Sequence, residues 1–292
     1  MSANVPPATS TSAPPEKMRC LEVWGGNQAT DRQFEMPGLR VWIHSRPQGS
    51  ALGGGDVYYV SSCASGRISR VLLADVSGHG EQVAGLGVGL RDLMRQNVNW
   101  VKQTRLVRAM NREFSRLAEQ GGFATAVATT FYSPTRSLSI CNAGHPSPLL
   151  FRQANRTWVE VVQQSSRPGK FTNTPLGIID QAEYVQVETT LEPGDLGLLV
   201  SDALTDARNT DGQALRTQGL LQILHELDPG EPETLIQRLR QAVRSRYEGN
   251  LSEDDATILL LQATGSNIRF VDNLLAPLRL LRGIFDATSI SR

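Results

Sequence analysis

The chain has no excess of either charge. Its 29 lysines and arginines match 29 aspartates and glutamates, so no net field draws it onto nucleic acid or an anionic membrane, and polyanion binding is disfavoured. Cysteine is scarce, with only Cys20, Cys63 and Cys141. They form neither a C-x-x-C pair nor a metal-binding cluster. Their odd count argues against a disulfide framework, so reduced thiols in a cytoplasmic protein are the expectation. No window approaches the roughly 18 consecutive apolar residues that span a bilayer, and residues 1–17 lack the basic stretch and apolar run of an export signal. Also missing are a cysteine phosphate loop closed by arginine, a G-x-S-x-G elbow and a P-loop, which weakens any reading based on a covalent nucleophile or a nucleotide cradle.

What is present is 292 residues that are 40% hydrophobic, enough to bury one large core and to make a single domain with appendages the expected organisation. Residues 1–17 are mainly Ser, Thr, Ala and Pro and read as a disordered tail, because they bury too little apolar surface to offset the entropy of ordering. Short β-branched and aromatic runs at Leu39–Ile43 and Val57–Ser62 flank a glycine-rich connection. Ile68–Val76 reads as a buried strand broken by Ser77-Gly78-His79-Gly80, and a helical pattern starts near Gln82. Val83, Leu86, Leu90, Leu93 and Met94 share one helical face, and Leu106, Met110, Phe114 and Leu117 share the next. Thr125–Tyr132 with Ser137–Asn142, and Pro148–Phe151 with Trp158–Val162, have hairpin patterns. Leu196–Val200 is a short strand, Leu220–Leu227 and Pro232–Tyr247 are helical, and Ala256–Leu261 is a last strand. The order predicts an α+β layering with sheets between pairs of helices. Beyond it, residues 268–285 place Val271, Leu274, Leu275, Leu278, Leu281 and Phe285 near one face interrupted by Pro277. That extension is expected either to dock on the domain or to contact a second copy or a partner.

Asp56, Asp75, Asp202 and Asp254 each stand at an element boundary. Aspartate favours turns and caps anywhere, but four at strand ends can converge while the strands hold their spacing. Converging carboxylates repel and raise one another's pKa unless a cation neutralises them, and hard divalent cations take oxygen ligands of this kind. Asp206 reads as a helix cap, while His79 and His145 lie in glycine-rich turns that need them structurally as much as chemically. Asp255 is expected to point away from Asp254 if both are extended.

Seven segments stand in an order that resembles the metal-dependent PP2C (PPM) protein phosphatases, in particular their bacterial SpoIIE/RsbU-like branch. They are Gly54-Gly55-Asp56, Asp75-Val76-Ser77-Gly78-His79-Gly80, Asn142-Ala143-Gly144-His145-Pro146, Pro175-Leu176-Gly177, Pro193-Gly194-Asp195, Ser201-Asp202 and Asp254-Asp255-Ala256-Thr257. The resemblance covers roughly residues 53–262 and implies a four-layer αββα sandwich of two antiparallel sheets, with the phosphatase domain at 18–263 and a helical extension at 264–292. It implies two Mn²⁺ or Mg²⁺ ions: Asp56 and the Val76 carbonyl at the outer one, Asp202 and Asp254 at the other, and Asp75 bridging both. Through the resemblance alone, a further-cation role for Asp206 is equally open beside the cap. The implied reaction is hydrolysis of phosphoserine or phosphothreonine on a protein, with Asp75 and Asp202 central to catalysis and water activated between the cations. By analogy the substrate would be an anti-sigma-factor antagonist in bacterial signalling.

Two positions depart from the family pattern. Tyr59 stands where a second aspartate is common, and Ala203 replaces a usual glycine, which would be costly if that residue needed a positive φ. A catalytically weak relative acting as a binding module, or a phosphoesterase for small molecules, are the alternatives these departures keep open.

Overall fold

A computed structural model describes residues 15–18, 22–49, 51–63, 66–77, 81–97, 102–118, 122–162 and 172–265. Its elements are β1 (Glu16–Lys17), β2 (Glu22–Gly26), β3 (Thr30–Met36), β4 (Leu39–Arg46), β5 (Asp56–Cys63), β6 (Ile68–Val76), α1 (Glu81–Asn97) and α2 (Gln103–Leu117). There follow β7 (Ala124–Tyr132), β8 (Ser137–Ala143), β9 (Leu149–Arg152), β10 (Thr157–Glu160), β11 (Gln186–Thr190) and β12 (Leu196–Val200). The last are α3 (Asp202–Thr205), α4 (Arg216–Glu226), α5 (Pro232–Arg244) and β13 (Ala256–Ala263).

The strands form two sheets. One has seven strands in the order β1-β3-β4-β13-β12-β9-β10 and the other six in the order β11-β8-β7-β6-β5-β2. Alternation along each strand explains the layering, because successive side chains face opposite ways. On β5, Val57 and Tyr59 join Leu72, Ala74 and Val76 of β6 beneath α1 and α2, in a core with Leu90, Met110 and Phe114. Their neighbours Tyr58, Val60, Val71 and Leu73 face the opposite sheet and meet Val41, Ile43, Leu199 and Leu259 there. A third core sets Trp42, Leu198 and Ile258 against Leu220, Leu224, Leu235 and Leu239 of α4 and α5. This is the expected αββα order, α+β in class. The second helical layer also contains the four-residue α3, and β1 runs parallel to β3, so the first sheet is not wholly antiparallel.

Several expectations need correction. Glu16 and Lys17 are paired strand residues, not tail. Residues 1–14 and 266–292 lie outside the described residues, as does the proposed 268–285 contact. Leu117 lies on the face of Leu106, Met110 and Phe114, against Gly89 of α1, but at the end of α2 it remains exposed. Strands β2, β3 and β11 carry no clean apolar alternation and go beyond the elements expected from the sequence. The two runs around the glycine-rich connection do not pair. β4 belongs to one sheet and β5 to the other, so residues 47–49 and 51–55 lie on the crossing between the sheets.

Strand pairing then gathers the acidic positions at element ends. β12 and β13 are antiparallel, with Val200 opposite Ile258, so the end of one and the start of the other lie at the same rim of the sandwich. Ser201 N–H donates to the Thr257 carbonyl at 3.0 Å. The same logic brings the start of β5 beside the end of β6, where Asp56 is the register partner of Asp75.

Candidate metal centre

Asp56 opens β5 and is 2% exposed. By the alternation that turns Tyr58 and Val60 inward, it faces the space between the sheets, and so does Asp75 two residues after Leu73. Thr125 of β7 is the next residue in the same cross-strand row. Both carboxylate oxygens of Asp56 are buried with no hydrogen-bond partner. Nearby hydroxyls are otherwise engaged: Ser201 Oγ donates to the Asp255 carbonyl at 3.3 Å, and Thr257 Oγ1 pairs with Ser45 Oγ at 2.9 Å. A buried carboxylate left in this state costs free energy unless a proton or a cation completes it.

The electrostatics agree. Burial, then the charges of Asp75 and Asp255, push the Asp56 carboxyl well above its usual range, and Ser201 and Thr257 offset only part of this. Burial, followed by the charges of Asp202, Asp254 and Asp255, pushes Asp75 up to about 7. Asp202 is pushed up to about 6 by burial and by the charges of Asp254 and Asp206. Each carboxylate therefore feels the others, as expected for a site that attracts cations. They are not drawn tightly around one point: among the described residues no three Asp, Glu, His or Cys side chains enclose an ion. The donor set is open, which suits hard cations that retain several waters.

Gly55 supplies a second sign that the residues fit a cation. A β-carbon there would stand 2.8 Å from the Val76 carbonyl oxygen and 3.3 Å from Asp75 Oδ1. Glycine thus keeps open the space onto which those two oxygens face, while the Val76 N–H donates to the Gly55 carbonyl at 3.1 Å. Asp202 begins α3 directly after β12, with Ser201 as its N-cap residue in extended conformation. Asp254 is exposed just before β13. Beside it opens a cleft of about 450 Å³, lined by Ala203, Asp206, Arg208, Tyr247 and Asn250 among others.

The remaining candidates separate clearly. Asp206 is the C-cap residue of α3 and pairs with Arg216 at 3.0 Å. His145 is 5% exposed, and burial pushes its imidazole down to about 3. Its Nδ1 lies 2.8 Å from Thr125 Oγ1, its N–H donates to Asn142 Oδ1 at 2.7 Å, and its carbonyl accepts from Asn142 Nδ2 at 2.7 Å. It is a neutral structural tie beside the Asp56–Asp75–Thr125 row. Gly144 before it has φ +72°, and a β-carbon there would meet Pro175 at 2.6 Å. His79 lies outside the described residues.

Both departures from the family pattern turn out mild. Tyr59 packs under the helices on the face opposite Asp56, so its position does not look onto the inner cleft. Ala203 is helical and absent from the positive-φ residues, so its β-carbon costs nothing there. Asp255 is corrected: it precedes β13 instead of being extended within it, and it holds the Gly55 and Gln48 N–H groups at 2.5 and 2.6 Å. Asn27, which binds the Gly54 carbonyl at 3.0 Å, has no local sequence signal that could have marked it.

Comparison with known proteins points the same way. Residues 65–264, more than half of the chain, match the family model of Stage II sporulation protein E (SpoIIE). Phosphoserine phosphatase RsbU of Bacillus subtilis (strain 168) is 23% identical over 155 residues, which are 52% of this chain and 43% of that protein, so the match spans less than half of the relative's length. The structure of the RsbU and RsbW domains of Rv1364c from Mycobacterium tuberculosis superposes with a TM-score of 0.66 at 21% identity, covering 82% of this chain and 64% of that one. The catalytic domain of the serine threonine protein phosphatase PstP, solved in complex with 2 manganese ions, gives a TM-score of 0.54 at 17% identity, covering 77% of this chain and 98% of that one. The fold is therefore that of the PP2C phosphatases, and the chain belongs to the SpoIIE family.

Proposed function

We propose that this chain is a manganese- or magnesium-dependent protein phosphatase acting on phosphoserine or phosphothreonine, with the catalytic unit at residues 18–263. The observation that carries the reading is the Asp56–Asp75 pair, in register on the inner face, with Asp56 buried and both its oxygens unpartnered. Asp56 and the Val76 carbonyl would hold one cation, Asp202 and Asp254 the other, and Asp75 both. Bound divalent cations supply positive charge at a phosphoryl group and a low-pKa water. The chain's own contribution is to fix the oxygens on strand ends, to keep the Asp75–Val76 oxygens uncovered through Gly55, and to leave a cleft beside Asp254 for the peptide around the phosphoresidue. RsbU is named a phosphoserine phosphatase, and the solved Rv1364c segment joins RsbU and RsbW domains. Both support a phosphoprotein of the anti-sigma-factor-antagonist type as substrate, in bacterial signalling.

The test is phosphate release from a phosphoserine peptide, p-nitrophenyl phosphate and nucleotides as Mn²⁺ is added. Asp75→Asn and Asp202→Asn are expected to lose turnover by roughly 100-fold or more, the scale of removing one stabiliser of the reacting charge. Preference for nucleotides would move the assignment to a small-molecule phosphoesterase. No turnover by a folded, Mn²⁺-binding wild type would leave a binding module.

A further inference from the structure

Asp255 is a carboxylate near the candidate centre with both oxygens engaged by backbone N–H groups, and the proposed ligand set leaves it out. Its Oδ2 accepts the Gly55 N–H at 2.5 Å and its Oδ1 the Gln48 N–H at 2.6 Å. These two donors sit near opposite ends of the segment that crosses from one sheet to the other. The same segment is gripped from other sides: Gly54 N–H donates to the Asn27 carbonyl at 2.8 Å, Asn27 Nδ2 to the Gly54 carbonyl at 3.0 Å, and Val76 N–H to the Gly55 carbonyl at 3.1 Å. Gly54 lies so close under the carboxylate that a β-carbon would stand 2.2 Å from Asp255 Oδ2. Asp255 adjoins Asp254 in sequence, and Gly55 adjoins Asp56. One carboxylate therefore joins the two halves of the centre, which stand on different sheets.

We infer that Asp255 is a positioning residue. By fixing the backbone at Gln48 and Gly55 to the start of β13, it sets the spacing between Asp56 and Asp254 and hence the affinity for divalent cation, without being a ligand itself. A carboxylate is needed because it accepts two N–H groups at once and donates nothing. An asparagine in its place accepts with one end and turns an N–H₂ group toward the other amide. The inference rests on the metal-dependent reading of the site, but its test does not need turnover.

Mn²⁺ alone is titrated into the full-length wild type, Asp255→Asn and Gly54→Ala, with binding followed by calorimetry and electron paramagnetic resonance. The second variant attacks the same contact from the backbone side, at a glycine without positive φ. Both are expected to weaken Mn²⁺ binding roughly 10- to 100-fold, as loss of a group that orients ligands does, and to speed hydrogen exchange at the Gly55 amide. Turnover lost by Asp255→Asn at low Mn²⁺ is expected to return as Mn²⁺ is raised, whereas that of Asp75→Asn does not. Affinities indistinguishable from wild type in both variants, or a loss in Asp255→Asn that no Mn²⁺ concentration restores, would overturn the inference. A wild type that binds Mn²⁺ but releases no phosphate would sink the phosphatase reading and leave the affinity comparison to decide this one. A wild type that binds no Mn²⁺ would sink both.

Discussion

Asp56, Asp75 and Asp202 are all held above the usual carboxylate range, and that fixes how the protein should respond to pH. A group whose folded pKa is raised contributes stability below its unfolded value, and this contribution is lost as pH rises through the folded value. For Asp202 and Asp75 that window runs from about 4 up to about 6 and about 7 respectively. In chelator, the melting temperature should therefore fall as pH is raised from 5 to 8. With saturating Mn²⁺ the direction should reverse over the same range, because the deprotonated carboxylates are the ones that bind and the ligand stabilises only the folded state. Thermal scans in EDTA and in Mn²⁺ at matched pH check both halves, and a chelated protein that gains stability toward pH 8 would contradict the assignment. His145 is the converse case. Because burial keeps it neutral, His145→Ala should cost about 1–3 kcal/mol through the stranded Thr125 hydroxyl, while the Asn142 bonds to the residue's backbone remain, and the pH–rate profile should keep its shape. A missing acidic or basic limb in that variant would mean that His145 handles protons. The aspartates were legible because aspartate at a strand end is a local pattern. The roles of Asp255, Asn27 and Thr125 were not, since each depends on a partner far away in sequence or across the sheet.

Among the elements, the strands with strong apolar runs were legible nearly to the residue. Ile68–Val76 needs no context, because it is buried on both faces. Strands β2, β3 and β11 were hidden because they lie at or near the sheet margins, where half-exposed polar residues break the alternation. The helix α2 carries its role in one face: Leu106, Met110 and Phe114 are at most 1% exposed and seal the core over β7 and β8. Phe114→Ala should destabilise the fold by about 3–5 kcal/mol, read as a lower denaturant midpoint at unchanged slope. A loss well under 1 kcal/mol would mean that this helix is not bound to the sheet as described. The hairpin β7–β8 was legible because its turn residues sit between two clean alternations, and Arg136 takes φ 55° there.

At the scale of the molecule, two sheets and two helical layers place every proposed ligand at one rim, and none of them needs residues beyond β13. A chain ending at Gly265 should therefore keep Mn²⁺-dependent turnover, measured beside the full-length protein, and native mass of the two would show whether residues 268–285 join copies. Loss of turnover in a folded truncated chain would place part of the catalytic unit beyond β13. Composition, periodicity and ordered motifs determined by themselves the α+β class, the layering, the family resemblance and the identity of the four candidate aspartates, because those are properties of short windows. Tertiary structure alone decided that β4 and β5 belong to different sheets, that Tyr59 faces away from the cleft, and that Ala203 is unstrained. It also decided that Asp255 clasps the crossing loop. Each of these depends on which strand pairs with which, and pairing is set by burial across the whole core, not by any one segment.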